Sequence, residues 1–208
     1  MKNNTKKLAL CGVMTALSVV LSFIKIYELP YGGAITLFSM VPVMFVGYVY
    51  GAKWGLAAGA VHGVIQCIAG ASNSLAYLTD NTLNFILCLL FDYIVAFAVL
   101  GLAGVFKNKI KKPAASFALG VVFAGFLRFL CHFITGWIVW GSYAEETLLG
   151  SGTKLGEHIV ANFTGNALAV VYSLVYNASY MLPEIIISVV IAVVLISVTP
   201  IRKAAFSD

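Results

Sequence analysis

Six apolar runs divide this chain: Leu8–Ile24, Leu37–Tyr50, Trp54–Ile68, Thr82–Phe106, Ala114–Gly141 and Ala169–Val198. A helix that crosses a bilayer needs roughly 20 apolar residues, and most of these runs meet that length. The second and third are short, and the Gly51-Ala52-Lys53 turn between them predicts a helical hairpin. The fifth is long enough to tilt or to project beyond the hydrocarbon. Soluble domains carry about 25% charged residues. Here 61% of 208 residues are hydrophobic and only 10% charged, so a soluble surface cannot be covered. The expectation is an all-α membrane protein of six transmembrane helices, a single integral-membrane domain over residues 1–208.

The net charge of +5 follows topology and does not signal nucleic acid. Lys2, Lys6 and Lys7 precede the first run, and Lys53 lies between the second and third. Lys107, Lys109, Lys111 and Lys112 separate the fourth from the fifth, and Arg202 and Lys203 follow the sixth. Ten of the thirteen basic residues therefore share one side. The positive-inside rule makes that side cytoplasmic, with both termini inside. The opposite loops carry Glu28, Asp80, Glu145, Glu146 and Glu157 against Lys25 and Lys154.

Polar groups inside the runs are the informative exceptions. Arg128, His132, Gly136 and Trp140 recur every fourth residue, which places them on one helix face. Asp92-Tyr93 interrupts the middle of the fourth run. Ionisable groups in hydrocarbon are costly unless they face a protein interior or a cavity, so each is a candidate site residue. Asp92 can neutralise a cationic ligand or form a structural ion pair with Arg128. His132 can hydrogen-bond a heteroaromatic ring, Gly136 leaves a flat gap, and Trp140 can stack on a ring or hold a cation. At roughly 1.5 Å per residue, Asp92 and His132 both lie about 14–15 Å from the outer end of their spans.

Other features have plainer readings. His62, flanked by Gly59 and Gly63, is expected to satisfy a contact between helices. Gly55, Gly59 and Gly63 form a ridge for close internal packing, whereas Gly12 and Ala16 could equally face a partner protein. Cys11, Cys67, Cys88 and Cys131 lie within apolar runs at no metal-like spacing and read as small buried hydrophobes. The outer loops Lys25–Thr36, Ala71–Asn81 and 142–166 are the longest. Pro30 and Gly32-Gly33 forbid a continuous helix in the first, and the last has room for a short amphipathic segment. There is no nucleophile beside a base, no zinc helix and no phosphate-cradling loop, so no enzyme and no cofactor is indicated.

Four segments carry a family resemblance: LPYGGAITLFSMVP (Leu29–Pro42), FDYIVAFAVLGLAG (Phe91–Gly104), RFLCHFITGWIVWGSYA (Arg128–Ala144) and YSLVYN (Tyr172–Asn177). In these the chain resembles the substrate-binding S components of energy-coupling factor (ECF) vitamin transporters, in particular the thiamine-specific branch. The resemblance implies that Asp92 and Tyr93 meet the ligand's amine and alcohol ends. It implies His132, Gly136 and Trp140 as contacts of span five, with Trp140 stacking, and Arg128 as the family's basic position. Tyr172 and Asn177 match a pair that contacts the pyrimidine, and Tyr77 corresponds to a loop aromatic. Where some members have a tryptophan in the first outer loop, this chain has Gly32-Gly33, with Tyr27 or Tyr31 as substitutes. The implied partners are thiamine, a membrane coupling subunit and two ATPase subunits, with Gly12 and Ala16 on the docking face. The implied location is the bacterial plasma membrane.

Three other readings remain open on the residues alone. An S component for another vitamin, riboflavin first, shares the architecture, but a neutral flavin does not call for a buried carboxylate. A self-contained proton-coupled carrier would use Asp92 and His132 as a proton relay. A purely structural membrane subunit would bind no small molecule.

Overall fold

The structure is a computed structural model that describes residues 2–29, 32–70, 75–78, 81–199 and 201. Arg202 and Lys203 of the charge count, Pro30 and Asp80 of the outer loops, and Tyr31 lie outside the described residues. The chain runs α1 (Lys2–Ser22), β1 (Lys25–Glu28), β2 (Ala34–Thr36), α2 (Val41–Tyr50) and α3 (Ala52–Gly70). A short 3₁₀ turn, Leu75–Leu78, precedes α4 (Thr82–Gly104) and α5 (Pro113–Ile138). Then come α6 (Ala144–Gly150), α7 (Lys154–Asn162) and α8 (Gly165–Ser197). Among the described residues, α4, α5, α8 and Asn4–Ser22 of α1 are long and apolar enough to cross a membrane. This is an all-helical membrane protein.

One small departure from an all-α expectation lies in the first outer loop. β1 and β2 pair antiparallel, Tyr27 opposite Ile35 and Glu28 opposite Ala34. Gly32 at φ 101° makes the return, a conformation open to glycine and unfavourable for other residues. The loop that proline and glycine bar from helix thus satisfies its backbone as a hairpin. In the last outer loop the amphipathic segment is α7, which buries Gly156 and Ile159, with α6 before it.

α2 and α3 form the expected hairpin, broken at Gly51 with φ 85°. The glycine ridge of α3 packs internally against α4. A Cβ at Gly59 would stand 2.3 Å from the carbonyl oxygen of Phe97, and one at Gly63 would stand 2.5 Å from that of Tyr93. Backbone touches backbone there, which only glycine permits. Gly12 is the opposite case: it is exposed, and a Cβ there would meet open space. Ala16, one turn further along α1, is exposed as well. The buried face of α1 runs instead through Cys11, Thr15, Ser18 and Ser22.

Two apolar clusters bracket the molecule along the helix axes. One gathers Met40, Met44, Tyr48, Leu100, Phe117, Val121 and Ile196 toward the α4–α5 connection. The other gathers Leu78, Cys88, Trp140, Leu148, Ile159, Leu168 and Tyr172 at the opposite end. The ionisable residues of α4, α5 and α8 sit between them. α4 is not regular: Leu89–Val95 is wound as a π-helix, and Asp92 and Tyr93 lie within it. Such local widenings are frequent at functional sites.

Candidate ligand-binding site

Two stripes of four-residue spacing face each other across α5 and α8. Arg128, His132 and Gly136 ascend α5, and Trp140 follows just past its end, in the 3₁₀ turn Trp140–Tyr143. Tyr172, Tyr176, Tyr180 and Glu184 descend the antiparallel α8. Between them and Asp92 of α4 lies a cavity of about 170 Å³, also lined by Tyr93, Asn177 and, from the first outer loop, Gly33 and Thr36.

Asp92 is the hub of the cavity. Its carboxylate accepts from the Thr135 hydroxyl, from His132 Nδ1 at 2.9 Å, from Trp140 Nε1 at 3.3 Å and from the Cys88 thiol at 3.1 Å. An ionised carboxylate is acceptor-only, and its two oxygens can take all four of these donors. Cys88 is thus more than a buried hydrophobe, and Cys67 is only partly buried. The expected alternative, an ion pair between Asp92 and Arg128, is not formed. Arg128 Nη1 bonds Glu184 Oε2 at 3.2 Å instead, and its guanidinium lies 4.5 Å from the Phe97 ring centroid. Nη1 also points at Met40 Sδ, while Nε donates to His132 Nε2 at 3.3 Å. A ring nitrogen that accepts from a guanidinium carries no proton. The proton of His132 is therefore on Nδ1, where it donates to Asp92, and the imidazole is neutral.

The structure brings Tyr93, Gly136, Tyr172 and Asn177 to the same cavity, with qualifications. Gly136 leaves no gap, because α8 fills it: a Cβ there would stand 2.3 Å from Ser173 Oγ and 2.9 Å from Asn177 Nδ2. Asn177 donates to the carbonyls of Ser173 at 2.9 Å and His132 at 3.2 Å, and accepts from the Tyr180 hydroxyl at 2.9 Å. It fastens α8 to α5 as well as lining the cavity. Tyr77 is 56% exposed, and neither it nor Tyr27 is among the lining residues. His62 is buried edge-on against Phe97, with ring centroids 4.8 Å apart, but both its nitrogens lack a hydrogen-bond partner, so the contact is packing alone. Trp137 faces outward and donates to Asn166 Oδ1 at 2.7 Å, as an interfacial anchor would.

Glu184 is the site residue that the sequence expectations lack. It is 1% exposed, and its other oxygen accepts from the Thr36 hydroxyl and from the Thr36 amide at 3.3 Å. The carboxylate therefore ties the first outer loop to α8 and to Arg128.

Fold and cavity together define a membrane-embedded protein with a polar-lined cavity between its helices. The family model described as thiamine transporter protein (Thia_YuaJ) matches residues 8–150. A thiamine transporter, ThiT, of Bacillus subtilis is 31% identical over 200 residues, covering 91% of this chain and 89% of the relative. A second ThiT, from Lacticaseibacillus paracasei, is 26% identical over 172 residues, covering 78% of this chain and 67% of that one. The fold matches the solved structure of ThiT from Listeria monocytogenes with a TM-score of 0.72, at 22% identity and 98% coverage of both chains. The chain belongs to the thiamine transporter protein family.

Proposed function

We propose that this chain captures thiamine from the outer side of the bacterial plasma membrane as the S component of an ECF-type transporter. It is a binding and transport protein, not an enzyme. Residues 1–208 act as one domain with six spans and both termini cytoplasmic, a topology supported by the concentration of lysines on one side. Asp92, Tyr93, Arg128, His132, Gly136, Trp140, Tyr172 and Asn177 form the ligand site. Delivery requires docking, through the exposed Gly12 and Ala16, on a membrane coupling subunit driven by two ATPases.

One observation carries the ligand assignment beyond family membership. Among the described residues, every group bonded to Asp92 is a neutral donor. A buried carboxylate with abundant hydrogen bonds and no bonded cation is suited to a ligand that brings one. The thiazolium ring of thiamine is a permanent cation, and the Trp140 indole beside Asp92 offers it an aromatic face. A neutral flavin uses neither feature.

The test is titration of the purified protein with a vitamin panel that includes thiamine and riboflavin. Saturable binding of thiamine, with riboflavin inert, is expected. Tight riboflavin binding, or no binding of any vitamin, would overturn the assignment.

A further inference from the structure

The charges around the cavity can be counted from their hydrogen bonds. At the rim, Lys25 and Glu28 pair at 2.5 Å and cancel. His132 is neutral, for the reason given above. Asp92 and Glu184 each receive only donors, and Arg128 is the single buried cation among the described lining residues. Among the described lining residues the sum is one net negative charge.

Arg128 could have been spent differently. It stands four residues from His132 and already reaches that imidazole, whose far nitrogen bonds Asp92. A guanidinium not held elsewhere is separated from the carboxylate that the ligand would need by one imidazole ring and its two hydrogen bonds. Glu184 prevents that by taking Nη1, and Phe97 holds the opposite face of the arrangement.

We propose that Glu184 is a specificity-determining residue: by retaining Arg128 it leaves the charge of Asp92 uncancelled and matches the cavity to a ligand with one fixed positive charge. The proposal rests on the thiamine assignment and deepens it. Glu184 acts through Arg128, so its effect falls on charge preference rather than on binding in general.

The experiment compares thiamine with a neutral isostere in which carbon replaces the charged thiazolium nitrogen. Both are titrated calorimetrically against the purified full-length protein, and the readout is the ratio of the two affinities. Glu184→Gln should lower the ratio about tenfold or more, because the cavity becomes neutral and Arg128 is released toward Asp92. Glu184→Asp keeps the charge and should keep the ratio, even if both affinities fall. Arg128→Gln should raise the ratio, and Arg128→Gln with Glu184→Gln should return it to the wild-type value. The double variant removes both buried charges together, which cores tolerate better than orphaning one. With Arg128→Gln, it carries the test should Glu184→Gln not fold. An unchanged ratio in Glu184→Gln, or a double variant that fails to recover it, overturns the role of Glu184 while leaving thiamine binding intact. A wild-type protein that binds no thiamine removes the underlying assignment, and the two failures are distinguishable.

Discussion

The indole nitrogen of Trp140 donates to Asp92 Oδ2 at 3.3 Å, so the aromatic wall and the acid of the cavity are one hydrogen-bonded unit. Trp140→Ala is expected to weaken thiamine binding about thirtyfold, since a desolvated cation–aromatic contact is worth ~2 kcal/mol. The quenching of tryptophan fluorescence on titration should disappear with it. Trp140→Phe keeps a ring but no donor, and should fall between the two. Unchanged affinity in Trp140→Ala would take the residue out of the site.

Asp92→Asn isolates charge from shape. Because Arg128 is held by Glu184, the substitution orphans no buried cation. Affinity should fall at least about tenfold while the melting temperature stays near that of the wild type. A large drop in melting temperature with affinity preserved in the surviving protein would assign Asp92 a structural role instead.

The two small-residue ridges should behave oppositely. Gly59→Leu forces a side chain into the carbonyl of Phe97 and should destabilise the fold by about 3 kcal/mol or abolish expression. Gly12→Trp with Ala16→Trp falls on the exposed side of α1 and should leave thiamine binding intact. Uptake in cells that supply the ECF partners should nevertheless be lost in that double variant. Persistent uptake would show that this face of α1 is not where the partner docks.

A proton-coupled carrier would need His132 to take up a proton, and its accepting nitrogen, Nε2, is already bonded to the guanidinium of Arg128. Protonation there would set two cations against each other. Reconstituted alone in liposomes, the protein should bind thiamine without accumulating it when a proton gradient is imposed. Accumulation driven by the gradient would favour the carrier.

The apolar runs and the stripe of α5 are legible because hydrocarbon leaves a polar residue few places to go. The same period marks Tyr172, Tyr176, Tyr180 and Glu184, and the rule that singles out Asp92 applies equally to Glu184. That carboxylate was therefore within reach of sequence reasoning, although the expectations include only Tyr172 and Asn177 from this helix. The partner of Arg128 was not within reach. Asp92 and Glu184 are both plausible by composition, and the choice depends on the register of two antiparallel helices. Nor does composition reveal that Ser173 and Asn177 occupy the space beside Gly136, which reads as a gap from α5 alone. The hairpin in the first outer loop depends on pairing across a turn, of which proline and glycine announce only the turn.

The π-wound segment Leu89–Val95 has a consequence for how the gene can change. An extra residue in one turn rotates everything beyond it by about 100° relative to a regular α-helix. Here that rotation lets one helix press bare backbone against α3 and also aim Asp92 into the cavity. Deleting the codon of Leu90 alone would preserve Asp92 and Tyr93 and still turn one half of α4 away from its neighbours. Substitutions in this stretch can be graded and partly tolerated, but a change in its length is a change of direction.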